Sequence, residues 1–293
     1  MTARPRGRTV GLIGYPLRHS ISPAFQQAAF DATGLAVRYE LWETPSDEVN
    51  RLEERLRRSD TLGANVTIPY KQLVQRFIDR LDPSAAAVGA VNTIVCRDAV
   101  LEGYNTDVGG FVEALRQDGE TTLTDRRLVV VGAGGAARAG VAAALRERAS
   151  SVVVCARRIE QAEALVEDFR RSSGDDAGML TIAQISANGL SPSEIVRAAD
   201  VVVNATPMGT AHHRDQDKLP VDAQALHVDQ IVVDLVYNPP ETPLLSAARQ
   251  RGARTLNGLP MLVYQGAMAF ELWTGRDAPI DLMRRVAREA LGV

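Results

Sequence analysis

Cysteine and histidine are scarce in this chain, two and four among 293 residues. Cys96 and Cys155 lie far apart, each in a strand-like run. They read as small buried hydrophobes, and neither a disulfide framework nor a metal site is expected of them. No His or Cys pair stands at ligand spacing, which argues against structural zinc. Long apolar runs are missing too: nothing approaches the roughly 18 residues of a membrane span. The basic segment 1–8 is not followed by the apolar stretch of a signal peptide. Charge of one sign is also lacking. The 33 Lys and Arg against 36 Asp and Glu leave a net charge of −3, which gives no support for a nucleic-acid or anionic-membrane partner. There are no internal repeats and no low-complexity tracts. These absences leave a globular, cytoplasmic protein. Monomer and homodimer are both compatible with the sequence.

What is present is ordinary in amount and ordered in pattern. At 45% hydrophobic and 24% charged residues, 293 residues can bury a large core and divide into two domains. Short β-branched runs alternate with helical patterns. Strands are expected at 9–13, 38–43, 63–68, 93–96, 101–104, 127–131, 151–155, 179–182, 201–203, 231–236 and 254–256. Helices are expected at 22–33, 47–58, 70–81, 85–88, 107–117, 135–148, 160–170, 242–251, 261–273 and 280–291. This alternation argues an α/β architecture with mainly parallel sheets, the pair 93–96 and 101–104 forming a hairpin. Residues 118–125 read as a polar linker, and 210–223, poor in apolar residues, as a mobile surface loop.

The stretch Gly63-Ala64-Asn65-Val66-Thr67-Ile68-Pro69-Tyr70-Lys71 is the most informative. Asn65 and Thr67 alternate on one face of a buried strand, and Pro69, which cannot donate to a ladder, stops it. Lys71 then falls on the first turn past the strand, where residues face a cleft. A lone lysine there is commonly a solvated helix start. Two features set this one apart: the neutral hydrogen-bonding groups Asn65 and Thr67 beside it, and a second polar cluster, Tyr104-Asn105-Thr106-Asp107, that brings a carboxylate. Near the N-terminus, Ser22 before Pro23 reads as an N-cap with proline at the first helical position. The free amides of that helix attract an anion, with the Ser20 and Ser22 hydroxyls beside it. The alternative is that Ser22 only caps its helix. His19 reads as a loop residue, not a base.

Strand 127–131 runs directly into Gly132-Ala133-Gly134-Gly135-Ala136-Ala137 and then a helix, the context a dinucleotide-binding glycine loop requires. Gly132 permits the tight turn, Gly134 lets a pyrophosphate approach, and Ala137 is small enough for helix–strand packing. After the second strand, where an acidic residue would select NAD, the chain has Cys155-Ala156-Arg157-Arg158. Two arginines without an acid suit a 2′-phosphate and favour NADP; a solvated helix start is the alternative.

Taken together, these motifs resemble the shikimate dehydrogenase family over nearly the whole chain. The matches are Ser20-Ile21-Ser22-Pro23; Asn65 through Lys71; Gly89-Ala90-Val91-Asn92-Thr93 with Asn105-Thr106-Asp107; the glycine loop; and Gly258-Leu259-Pro260-Met261-Leu262-Val263-Tyr264-Gln265. The resemblance implies NADP-dependent reduction of 3-dehydroshikimate to shikimate, in aromatic amino acid biosynthesis, with a small-molecule substrate and no metal. It implies Lys71 and Asp107 as the catalytic pair. Ser20, Ser22 and Tyr237 would hold the substrate carboxylate, and Thr67, Asn92, Asp107 and Gln265 the ring hydroxyls. The cofactor would meet Gly132, Ala133, Gly134, Gly135, Ala136, Arg157, Arg158, Thr206, Met208, Val236 and Gly258. The implied domains are a substrate-binding domain at 1–110, a Rossmann-type NADP-binding domain at 111–257, and C-terminal helices at 258–293 returning to the first.

The chain also departs from the family. Ala156-Arg157-Arg158 stands where Asn-Arg-Thr is common, and Tyr15 and Pro260 occupy places where other residues are frequent. A quinate or amino-shikimate dehydrogenase with relaxed cofactor use therefore stays open as an alternative. A non-catalytic dinucleotide-sensing regulator is the second alternative, against which stand Lys71, Asp107 and the lack of a basic stripe.

Overall fold

The computed structural model describes residues 7–173, 178–185 and 190–293. Of the basic segment 1–8, residues 1–6 lie outside the described residues. The chain divides into two compact units, Met1–Thr106 with Val263–Val293, and Asp107–Leu262.

The first unit carries β1 (Arg8–Gly14), α1 (Ser22–Ala32), β2 (Val37–Glu43), α2 (Leu52–Leu56), β3 (Thr61–Val66), β4 (Arg80–Leu81), α3 (Pro83–Val88), β5 (Thr93–Arg97) and β6 (Val100–Tyr104). Its sheet runs β2-β1-β3-β5-β6-β4. β3 is buried at all six positions, as a central strand should be. β1 pairs β2 and β3 in parallel, while β5 runs antiparallel to β3 and to β6, the latter pair being the expected hairpin. Asp98 and Ala99, with φ of 51° and 61°, form the two-residue connection that returns the chain beside itself.

Two expected helices are corrected. Residues 47–58 break into a 3₁₀ turn, Val49–Arg51, and the short α2. The helix expected at 70–81 is only a 3₁₀ turn at Leu73–Phe77. Val74 and Phe77 are its buried residues, the spacing of three that such a turn places on one face. The chain then leaves the helical path to pair β4 with β6, pinned by Asp79 N–H to Leu101 O (2.9 Å) and Leu101 N–H to the Asp79 carboxylate (2.8 Å). The expected Ser22 cap is a third correction. Ser22 is the first helical residue, Ile21 holds the cap position, and no side chain caps the end. Instead the Ser22 N–H donates to Ser20 Oγ at 3.3 Å.

The second unit carries α4 (Asp107–Gln117), β7 (Arg127–Val131), α5 (Gly135–Arg146), β8 (Ser151–Ala156), α6 (Ile159–Ser173), β9 (Leu180–Gln184), α7 (Ser193–Ala198), β10 (Val201–Asn204), β11 (Ile231–Asp234), α8 (Pro243–Gln250) and β12 (Arg254–Leu256). Its sheet, β12-β11-β10-β7-β8-β9, is parallel throughout. The order reverses between β7 and β10, the doubly wound arrangement that opens a crevice at the strand ends. The sequence reading missed α7. It also read 210–223 as mobile, whereas this stretch is tied down: Val221 is fully buried, Ala211 N–H donates to Asn238 O (2.9 Å), and Lys218 pairs with the buried Asp215 at 2.8 Å.

α9 (Leu259–Thr274) begins in the second unit and continues into the first, and α10 (Ile280–Leu291) packs on α1. No helix among the described residues is long and apolar enough to cross a membrane.

Candidate active site

In the first unit, the ends of β3 and β5 carry a buried polar cluster centred on Asn92, 2% exposed. Asn92 Nδ2 donates to Thr106 Oγ1 (2.9 Å) and to Gln265 Oε1 (3.3 Å), while its Oδ1 accepts from the Thr106 N–H (2.7 Å) and Thr93 Oγ1 (3.1 Å). Asn65 lies behind it, donating to Thr93 Oγ1 (3.1 Å) and to Asn92 O (3.3 Å). The sequence reading missed Tyr39, whose hydroxyl donates to Asn65 Oδ1 at 2.8 Å. Burial pushes the Tyr39 phenol well above its ordinary range, so it remains a neutral donor. Its signal was an aromatic with a polar tip on an alternating strand, which by itself does not name a partner.

The backbone of the 65–71 stretch is locked to the same turn. Val66 N–H donates to Asn92 O (2.7 Å) and Val91 N–H to Lys71 O (2.7 Å), while Thr67 N–H reaches back to Ile13 O on β1 (2.8 Å). Thr67 and Lys71 are half-buried. Ser20 and Ser22 stand together at the start of α1, and Gln26 of that helix donates to Gly266 O (2.9 Å), one residue beyond Gln265. Asp107 is buried and opens α4, where a carboxylate suits a helix N-terminus.

In the second unit, Gly132 follows β7 at φ +117°, and a Cβ there would stand 3.0 Å from Ala205 O. Gly134 holds the N-cap of α5 with no side-chain cap, and nothing lies within 4 Å of where its Cβ would be. The approach to the first amides of α5 is therefore bare backbone, as a pyrophosphate requires. Ala137 is fully buried against the sheet. Arg157 and Arg158 are exposed just past the end of β8. These residues fit a phosphorylated dinucleotide.

Across the switch point, a second buried network joins the loops that follow β10, β11 and β12. Asn204 Nδ2 donates to Asp234 Oδ1 (2.9 Å) and to Met208 O (3.2 Å), and its Oδ1 accepts from both the N–H (3.0 Å) and the hydroxyl (2.6 Å) of Thr206. Asp234 also accepts from Val236 N–H (3.1 Å) and Thr242 Oγ1 (2.6 Å). Val236 O accepts from Gly258 N–H at 3.0 Å, and a Cβ on Gly258 would collide with the Leu235 carbonyl. Burial raises the Asp234 carboxyl to about 6, against the hydrogen bonds from Thr242, Val236 and Asn204. Sequence reasoning missed Asn204 and Asp234. The available signal was one acid in the otherwise apolar run 231–236, because a charged residue is rarely buried unless partnered. Tyr237, next in the loop, is half-buried, and burial pushes its phenol up.

A doubly wound sheet with a glycine loop at its switch strand, and a lysine beside a cluster of neutral hydrogen-bonding side chains, define a class: the dinucleotide-dependent α/β oxidoreductases. Family models narrow it. Residues 12–94 match a shikimate dehydrogenase substrate binding domain, 114–239 a shikimate / quinate 5-dehydrogenase, and 258–288 a shikimate 5′-dehydrogenase C-terminal domain. The NADP(+) shikimate dehydrogenase of Methanopyrus kandleri is 43% identical, over 96% of this chain and 95% of that one. The shikimate 5-dehydrogenase of Thermus thermophilus, solved with NADP(H) and shikimate, superposes at a TM-score of 0.84 with 36% identity, covering 97% of this chain and all of that one. A quinate dehydrogenase from Corynebacterium glutamicum, solved with NAD, superposes at 0.86 with 32% identity over 96% and 98% of the two chains. The chain belongs to the shikimate dehydrogenase family.

Proposed function

We propose that this protein reduces 3-dehydroshikimate reversibly to shikimate with NADPH, Lys71 and Asp107 acting as its acid–base pair. The observation that carries this reading is the Asn92 cluster, with the Lys71 backbone locked beside it at Val91. The unit of Met1–Thr106 and Val263–Val293 is the substrate-binding half, and Asp107–Leu262 the nucleotide half. A polyhydroxylated ring needs several neutral groups with fixed donor and acceptor senses; Thr67, Asn92 and Gln265 supply them. Ser20 and Ser22 take the ring carboxylate, joined by Tyr237, whose raised phenol stays protonated and can donate to an anion.

When bound, the nicotinamide supplies the hydride. The Lys71 ammonium stabilises the negative charge that grows on the carbonyl oxygen and delivers a proton to it. Asp107 acts with Lys71 as its partner in the proton transfer. The glycine loop and α5 amides bind the pyrophosphate, and Arg157 and Arg158 bind the 2′-phosphate by forked, charge-assisted hydrogen bonds. Its soluble substrates and near-neutral charge balance suit a cytoplasmic enzyme.

A second reading is quinate oxidation with NAD, favoured by the likeness to the quinate enzyme and by Ala156 at the departure from the family's common motif. Initial rates for shikimate and quinate, each with NADP and NAD, separate the two. We expect the highest kcat/KM for shikimate with NADP. A higher value for quinate with NAD would replace the first reading by the second.

A further inference from the structure

In a doubly wound sheet, the strands on one side of the switch point take the adenosine half of a dinucleotide, and those on the other side take the second half. Here β7 and β8 carry the glycine loop and the two arginines, so the nicotinamide half falls to the loops after β10, β11 and β12. These loops hold Thr206, Met208, Val236 and Gly258. Each is fixed by one hydrogen-bonded chain. Thr206 and Met208 hang on Asn204; Asn204 and Val236 meet at Asp234 Oδ1; Gly258 hangs on the Val236 carbonyl. Asn204 and Asp234 are both fully buried and belong to the ends of neighbouring parallel strands.

We propose that the buried pair Asn204–Asp234 is the positioning unit that sets the three strand-end loops for the nicotinamide half of NADP. The proposal rests on reading this unit as the NADP-binding half. Neither residue touches the cofactor in this scheme; they act through the loops. Asn204 suits the task because its amide both donates and accepts. The Nδ2 group binds the Asp234 carboxylate and the Met208 carbonyl, leaving Oδ1 to gather both donors of Thr206. A leucine of similar volume would fill the space but leave Thr206, Met208 and Asp234 without these partners, and unpaired buried groups are expensive. The same pair explains why an acid stands in the centre of an apolar strand end: its two oxygens gather three donors, two from the loop after β11 and one from β10.

The test uses the full chain. Equilibrium NADP titration by protein fluorescence is compared with amide hydrogen exchange of the cofactor-free protein. In Asn204→Ala, and in the milder Asn204→Ser, the Kd for NADP should rise tenfold or more, and the Thr206 amide should exchange at least tenfold faster. Asp234→Asn keeps an Oδ1 acceptor for Asn204 and Val236 and can donate to Thr242, so its Kd should stay within threefold of wild type. Val232→Ala, a buried position on β11, should lower Tm while leaving the Kd for NADP within threefold. Wild-type affinity in both Asn204 variants, or equal loss of affinity in Val232→Ala, would overturn the positioning role while leaving the NADP reading intact. A wild-type protein that binds no NADP would overturn both.

Discussion

In the proposed scheme the two units recognise their ligands with different material. In Asp107–Leu262 the proposed pyrophosphate site is backbone: Gly132, Gly134 and the start of α5 lie within a few consecutive residues, and Gly134 leaves the helix start open. In the other unit the proposed ring site is side chain: Thr67, Asn92 and Gln265 supply the groups, with Asn92 held by Thr106 and Asn65 behind it. A backbone site binds what every dinucleotide shares. A side-chain site distinguishes one arrangement of hydroxyls from another, but only if each amide and hydroxyl is held in a fixed sense by its neighbours. In this scheme, selectivity in the nucleotide unit is assigned to the two side chains at its rim, Arg157 and Arg158.

That contrast can be broken at its strongest point first. Lys71→Ala should lower kcat by on the order of 10² or more, the scale of a positioned acid–base group, with much less effect on shikimate binding. Stopped-flow rates with a separate binding titration check this; near-normal kcat would contradict it.

Next, Arg157→Ala combined with Arg158→Ala should raise the KM for NADP by on the order of 10² or more, because two charge-assisted contacts of about 1.5–3 kcal/mol each are lost. The KM for NAD, which meets only the backbone part, should hardly move. Equal rises for both cofactors would mean that the arginines only cover a solvated helix start.

The buried Asp234 gives a stability test. Its carboxyl titrates near 6 in the fold against 3.8 ordinarily, so the fold favours the protonated form. The stability this contributes is complete below about pH 4 and lost as pH rises through about 6, a difference of up to about 3 kcal/mol. Other carboxylates respond in the opposite sense: Asp168 and Asp200 are held low by hydrogen bonds from Arg138 and Arg127 and lose stability in acid. Comparison with Asp234→Asn cancels them. The variant's stability relative to wild type, from urea unfolding, should grow between pH 4 and 7; a flat difference would contradict the buried, strained ionisation.

The smallest expected effect concerns α1. Ser20→Ala and Ser22→Ala should each raise the KM for shikimate severalfold with kcat nearly unchanged, because a carboxylate is bound alike in ground and transition states. Ser22→Ala should leave Tm within about a degree, since Ser22 caps nothing. A fall in kcat at unchanged KM would contradict the carboxylate role.

What the sequence disclosed follows the same division. The glycine loop, β7 and α5 were legible because apolar strand, glycine turn and helix follow one another without interruption. The helix expected at 70–81 failed because β4 had to reach β6, a pairing 22 residues ahead that local periodicity does not contain. The Ser22 cap failed because the helix begins at Ser22 itself, leaving Ile21 in the cap position. Asn92 and Gln265 were found through family motifs. Their mutual hydrogen bond, and the partners Tyr39, Asn204 and Asp234, depend on which strands become neighbours, and spacing along the chain does not encode that.

The central claim is that Lys71 and Asp107 act as one acid–base unit on a ring ketone. A double-mutant cycle measures this most directly, with kcat determined for wild type, Lys71→Ala, Asp107→Ala and the double variant using shikimate and NADP. The account predicts that each single change costs nearly as much as both together, because removing either partner disables the unit. Losses that add in free energy would contradict it, and would mean that Lys71 and Asp107 serve the reaction separately.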